Sequence, residues 1–395
     1  MEIKIINGTK EGYTPTKGEM DSIAGHSAGV CYLADTMETL LGESKEKTER
    51  RTMLIKGSGH HSPFDHSYIT LQIKDVPKIV AMVLNNEAMY TTSEKSARYT
   101  KMVLTEKEQA LYDKWCKVFE NEMKERLKQT SPNWFTDKKI LKLAQENARY
   151  LTSVFTPTTM VYTISYRQFN VLYSLISEEI PHLRGSVDKF SDRLADELDK
   201  FAQTMKEIKD ANGRSLLDEA LLKNPKGRKL SLFKDRPVEK VFGDVYSTAY
   251  KGSFAQYAQE QRHRTLTHNI TMLEKPEFYV PPILKAKPEL VNEWIKDCFA
   301  LADNFPQAML VMISERGTFE NFIQKVNERS CAQAQLEINQ QTTATTNEMY
   351  NALKGKDAEK EEILEKYLNG SRCTAGYKCS NPCGFKDGIT GERIV

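Results

Sequence analysis

The chain has 395 residues, of which 39% are hydrophobic and 28% charged, with a formal net charge of +2 from 56 basic and 54 acidic side chains. That is the composition of a globular protein long enough for two cores. The near-balance of charge excludes a whole-surface nucleic-acid binder, so any anion site has to be built locally. The N-terminal stretch from Met1 to Gly8 contains no signal-like apolar run, and no window approaches the roughly 18 apolar residues of a membrane span. A cytoplasmic location and no membrane or nucleic-acid partner are therefore expected. Seven Cys is an odd count, and Cys31, Cys116, Cys298 and Cys331 are scattered, which argues against a secreted disulfide framework.

In chain order, a helical stretch is expected at 28–41. Alternating residues from His66 to Lys74 predict a half-buried strand ended by Pro77. Helical patterns follow at 78–87, 106–129, 137–151, 158–176 and 187–210. Thr91 and Glu94 form a capping-box pair, which predicts a helix start there. Turn signals at 210–213 and a basic run at 224–229 mark a linker. Helical patterns resume at 247–260, 288–302 and 317–353, followed by a solvated, charge-rich helix at 354–366. The halves look like repeats of one another. The expected division is a first repeat at 1–210, a linker at 211–236, a second repeat at 237–368 and a Cys-rich tail at 369–395.

Five segments carry chemistry. Arg262-His263-Arg264 concentrates two planar donor forks and an imidazole, suited to phosphate; a solvated basic turn is the plainer alternative. Gln259 precedes the run, Thr267 and Asn269 follow it, and Phe278-Tyr-Val-Pro281 closes the segment. Glu94-Lys-Ser96-Ala-Arg98-Tyr99 offers a hydroxyl and a cation. The His-rich turn Gly59-His60-His61-Ser62-Pro63-Phe64-Asp65-His66 would suit a metal as readily as an organic ligand, but no acidic or Cys partner stands at ligand spacing. Arg329 opens a segment ending in Ala334-Gln335-Leu-Glu337-Ile338. Glu146-Asn-Ala148-Arg149-Tyr-Leu151 is a short helical element with one cation.

Together these segments resemble the flavin-dependent thymidylate synthase family. The second half is similar to the start of that family's RHRxxSxNExSxRY signature, through Gln259, Arg262, His263, Arg264 and Asn269. It departs at Ile270, Met272, Glu274 and Lys275. The first half keeps the ExSxRY end as Glu94, Ser96 and Arg98, with Asn86-Glu87-Ala88 where the family has RHR. The turn at His60, Ser62 and Asp65 looks like HxSPFEH, Arg329 to Ile338 like RxxxxAQxEI, and Glu146 to Leu151 like ExARxxL.

The resemblance implies a helix-rich α+β fold, here a tandem repeat of the family fold. It implies FAD held by His60, Ser62, Asp65, Arg262, His263, Arg264 and Asn269. Substrate contacts fall on Glu94, Ser96, Arg98, Arg149 and Gln259, with Arg329 as the catalytic cation over the pyrimidine. The implied reaction converts dUMP to dTMP with methylenetetrahydrofolate and NADPH, hydride coming from the flavin, so no Cys nucleophile is needed. Hydroxymethylation of a pyrimidine nucleotide and a non-catalytic nucleotide-binding paralogue are the alternatives. Family homotetramers imply a homodimer here. Because each half has lost what the other keeps, one composite site shared by the repeats is expected. Separately, Cys373, Cys379 and Cys383 are a candidate zinc or iron–sulfur site, against free thiols in a tail.

Overall fold

The computed structural model of the chain describes residues 1–7, 10–95, 102–129, 131–222, 229–233, 238–368, 370–379 and 393–395. It is a helix-rich α+β protein with two small antiparallel sheets. The first has strand order β1-β2-β4-β3, made of β1 (Glu2–Asn7), β2 (Tyr68–Pro77), β4 (Pro157–Ser165) and β3 (Thr91–Glu94). The second has order β5-β7-β6, made of β5 (Val245–Ser253), β7 (Leu310–Thr318) and β6 (Thr267–Met272).

The strands explain where the helical expectations fail. Residues 158–176 are not one helix but β4 followed by a helix at Tyr166–Arg184. The run Thr-Thr-Met-Val-Tyr-Thr-Ile is β-branched and aromatic, and it pairs on both edges. Ser165 then accepts the backbone N–H of Gln168 and starts the helix. Residues 247–260 divide in the same way, with Ser253 capping the helix Phe254–Glu260. Thr91–Glu94 is a strand rather than a helix start, because its backbone is committed to β4. The expected helix at 28–41 is the end of one helix, Lys17–Tyr32, and a second short one, Met37–Leu41; a third, Lys45–Ser58, follows beyond it. The pattern at 317–353 is two, Phe319–Arg329 and Leu336–Leu353.

The tandem repeat is visible in the element order. In the first repeat, β2 ends at Pro77, a seven-residue helix spans Lys78–Leu84, and β3 begins at Thr91. In the second, β5 ends at Ser253, a seven-residue helix spans Phe254–Glu260, and β6 begins at Thr267. Each repeat then inserts helices before its central strand, β4 or β7, and each central strand lies between the other two. Ser165 and Thr318 cap the helices that follow.

The compact units cut across this division. One comprises 1–95 with 157–231, the other 96–156 with 232–395. The second therefore holds the helical insert of the first repeat beside the whole second repeat. There the two inserts pack as near-equivalents. Trp115 of helix Glu106–Arg126 meets Trp294 of helix Pro288–Ala300 edge-on, with ring centroids 4.8 Å apart. Both tryptophans sit in a Leu-x3-Trp-x-Lys pattern, and both are fully buried. After the inserts, Ser153 bridges Pro306. Val154 N–H donates to Phe305 O, and Gln307 N–H donates to Thr152 O, at 2.9 and 2.8 Å. This reciprocal pairing is that of a local pseudo-twofold axis. Leu216, Leu221, Leu230 and Leu232 are buried along the 211–236 segment. Among the described residues no helix is long and apolar enough to cross a membrane.

Candidate functional site

In the first compact unit, helix Lys45–Ser58 stops at Gly59, whose φ of +79° is a left-handed cap that a side chain would strain. The chain turns there and presents His60, whose Nδ1 pairs with the Tyr32 hydroxyl at 2.5 Å. Ser62 opens a 3-10 turn at Ser62–His66 and is exposed. Asp65 accepts from Ser165 Oγ at 2.6 Å and from the Arg167 guanidinium at 2.8 Å. It lines a cleft of about 180 Å³ with Tyr68, Met89, Ser165, Arg167 and Gln168. Arg167 and Gln168, absent from the expected site, thus stand beside the turn. Glu94 is paired with Lys78 at 2.5 Å. Ser96 and Arg98 lie outside the described residues.

In the second compact unit, burial alternates along the basic run. Arg262 and Arg264 are exposed, whereas His263 is buried between them. The imidazole Nε2 accepts the Nε–H of Arg329 at 2.7 Å, and Arg329 Nη2 donates to Gln259 O at 3.2 Å. Burial, then the Arg329 and Lys325 cations, push the His263 imidazole down to about 2. Asn269 is buried and accepts from Arg316 Nη2 at 2.7 Å. Arg329 ends helix Phe319–Arg329, and Asn339 secures its carbonyl at 2.6 Å.

Arg149 lies in the same unit, carried there by the first repeat's insert. It is 4% exposed, and among the described residues its Nε and Nη2 have no hydrogen-bond partner. Leaving donors of a buried charge unmet costs roughly 1–3 kcal/mol or more, so the site favours an anion. Next to it, Glu337 accepts from Tyr150 Oη at 2.7 Å, from Ser253 Oγ at 2.6 Å and from Ser253 N–H at 2.8 Å. Burial raises the Glu337 carboxyl above its ordinary range against those three bonds and the Arg149 charge. Tyr279 stacks on Tyr150, centroids 4.9 Å apart. Residues of both repeats meet in this cluster.

A further cluster escaped the sequence. Lys325 Nζ, 1% exposed, lies 2.7 Å from Glu260 and 2.6 Å from Glu315. His268 Nε2 is 3.0 Å from Glu315, whose carboxyl Lys325 holds well below the usual range against burial. Glu260, His268 and Glu315 form the one metal-type group found among the described residues, and the ammonium fills it. A lysine ten residues from one carboxylate and sixty-five from the other leaves no motif to find. Cys373 is exposed and 2.9 Å from Ser371 Oγ, Cys379 is half-buried, and Cys383 lies outside the described residues.

Residues 14–211, half of the chain, match the thymidylate synthase complementing protein family. The chain belongs to that family. Its members are the flavin-dependent thymidylate synthases, which are enzymes. No curated protein matches the chain by sequence. Among solved structures, the flavin-dependent thymidylate synthase ThyX of Helicobacter pylori, complexed with FAD and dUMP, is 17% identical at a TM-score of 0.34. The similarity covers 56% of this chain and 100% of that one. The UMP/dUMP methylase PolB of Streptomyces cacaoi, bound with 5-Br dUMP, is also 17% identical, at a TM-score of 0.28. That similarity covers 44% of this chain and 76% of PolB. The family match ends at 211, so the second repeat rests on the duplicated element order described above.

Proposed function

We propose that this thymidylate synthase complementing family member methylates dUMP to dTMP with FAD, methylenetetrahydrofolate and NADPH, at a site to which both repeats contribute. The observation that supports this most is Arg149, a buried guanidinium with unmet donors that the first repeat's insert brings beside Tyr279 and Glu337 of the second. A nucleotide phosphate satisfies such donors with charge-assisted bonds. Arg329, fixed at two nitrogens, suits the pyrimidine. Attack from C5 of uracil puts negative charge on the ring carbonyl oxygens, and a preorganised cation stabilises it.

The residues that would hold FAD are His60, Ser62 and Asp65 on the first repeat, and Arg262, Arg264 and Asn269 on the second; His263, which the resemblance also implies for FAD, is instead buried against Arg329. Taken repeat by repeat, the exposed hydroxyl and the imidazole of the first and the two exposed guanidiniums of the second are donor types that suit an anionic dinucleotide. When bound, the flavin would supply the hydride of the reaction. Glu94, Ser96, Arg98 and Gln259 complete the substrate contacts, a homodimer is the proposed assembly, and the Cys tail is a separate zinc or iron–sulfur candidate.

The test uses the purified full chain with dUMP or dCMP, methylenetetrahydrofolate and NADPH, and weighs the nucleotide product. The expected product is dUMP plus one methylene, from protein that absorbs as a flavoprotein. Arg149→Ala should weaken nucleotide binding by roughly 10-fold or more, since each charge-assisted bond is worth about 1.5–3 kcal/mol. Arg98→Ala and Arg329→Ala should each abolish turnover. Colourless protein, or a product heavier than the substrate by a methylene plus an oxygen, overturns the assignment.

A further inference from the structure

The basic run is read most simply as three cofactor ligands, but its side chains do not face one way. Arg262 and Arg264 are exposed, and His263 is 5% exposed. An imidazole nitrogen that accepts a bond carries no proton. The Arg329 Nε–H bond to Nε2 therefore places the His263 proton on Nδ1. Charged and titratable groups surround the ring on three sides. Lys325, Glu328 and Arg329 come from helix Phe319–Arg329, Glu315 from β7 and His268 from β6. Glu328 Oε2 is 4.0 Å from Nδ1, beyond a hydrogen bond.

The geometry points to His263 as a positioning residue for Arg329: its Nε2 aims the guanidinium, and the ring itself does not hold the cofactor. A guanidinium is a rigid planar fork, so a bond at Nε and another at Nη2 together set both its plane and its rotation. Lys325, one turn earlier on the same helix, is pinned by Glu260 and Glu315. The helix is thus held at Lys325 while the imidazole and the Gln259 carbonyl hold the tip of Arg329. Neutrality is required for this job. A protonated ring would turn its acceptor into a donor and repel the arginine it has to orient.

This role rests on the reading in which Arg329 faces the pyrimidine. The test compares the full chain with His263→Leu, His263→Gln, Arg262→Ala and Arg329→Ala. Gln returns an acceptor close to the Nε2 position; Leu does not. His263→Leu should keep the parent's flavin content and lose roughly 10²-fold in turnover of dUMP, the scale of an ångström's misplacement. His263→Gln should recover most of that, and Arg262→Ala should shed flavin instead. Loss of flavin by His263→Leu, parental turnover in it, or a folded Gln variant as slow as Leu overturns the role. A long-range proton–nitrogen spectrum of the histidine rings tests the pairing without turnover. The His263 ring should stay neutral, protonated on Nδ1, at about pH 5, below the usual imidazole value. It should take up protons more readily in Arg329→Ala. A ring already protonated at that pH, or indifferent to Arg329→Ala, overturns the pairing even if the parent turns over no uridylate. Such an inactive parent would by itself sink only the proposed reaction. If His263→Leu does not fold, the Gln variant and the ring spectrum decide.

Discussion

At the scale of residues, the second compact unit stabilises a fixed charge pattern and pays in acid stability. His263 has a folded value near 2 against 6.5 ordinarily. Below about pH 6.5 the unfolded chain binds a proton that the folded ring refuses, so stability falls as pH drops, by about 1.4 kcal/mol per unit. His263→Gln removes this linkage. Urea unfolding of parent and variant should show the variant gaining roughly 2–3 kcal/mol on the parent between about pH 6 and pH 4; parallel curves would refute the buried neutral ring. The chemical types at Arg149, His263 and Arg329 were legible in the sequence because each stands in a short family-like motif. Their pairing was not. Arg329 and His263 are sixty-six residues apart, and nothing local says that the middle residue of a basic run turns inward. Lys325 and its carboxylates carry no spacing at all that a one-dimensional pattern could flag.

At the scale of elements, the errors have one physical source. Segments 158–176 and 247–260 each begin as a strand and end as a helix, with a serine cap at the change. Apolar residues in them satisfy a helical period well enough when the change of period is not located. Strand β2 was legible because His66 to Lys74 alternates without such a junction, and its observed span is Tyr68–Pro77. The pair of helices that leads to His60 gives an element-level prediction. A Cβ on Gly25 would lie 2.4 Å from Thr52 Oγ1 and 2.9 Å from the Thr48 backbone oxygen. Ala in place of Gly is worth up to about 1 kcal/mol in a helix interior. The backbone oxygen cannot rotate away, and overpacking of this kind costs about 1–3 kcal/mol. Gly25→Ala should therefore lower the unfolding free energy in urea by about 1 kcal/mol. A gain would mean that helices Lys17–Tyr32 and Lys45–Ser58 separate easily.

At the scale of the whole molecule, repeat and compact unit are different divisions of the same chain. Residues 96–156 belong by element order to the first repeat and by packing to the second compact unit. Trp115 and Phe119 of that insert pack on Trp294. Truncating such an aromatic costs about 3–5 kcal/mol, and removing the partner outright exposes both faces. A fragment of residues 1–210 should consequently fail to fold as a compact monomer. It should bind hydrophobic dye and exchange the amides of helix Glu106–Arg126 rapidly. Restoration on mixing with 211–395 would fit the interleaving, whereas a stable, dye-free 1–210 fragment would show that the repeats are independent domains.

The interleaving also sets a timetable for the nascent chain. Trp115 leaves the ribosome about 180 residues before Trp294. At about 5–20 residues per second, that is roughly 10–40 s. For that interval Trp115 and Phe119, fully buried at the end, lack the Trp294 ring that packs against both. Strands β1 to β4, with their helices, are complete by about residue 231. The first compact unit can thus close while the insert between β3 and β4 still waits. A chaperone that shields apolar helices during synthesis should accordingly be found on the chain in this window, and ribosome-bound chains stalled between about residues 231 and 294 should be its best clients.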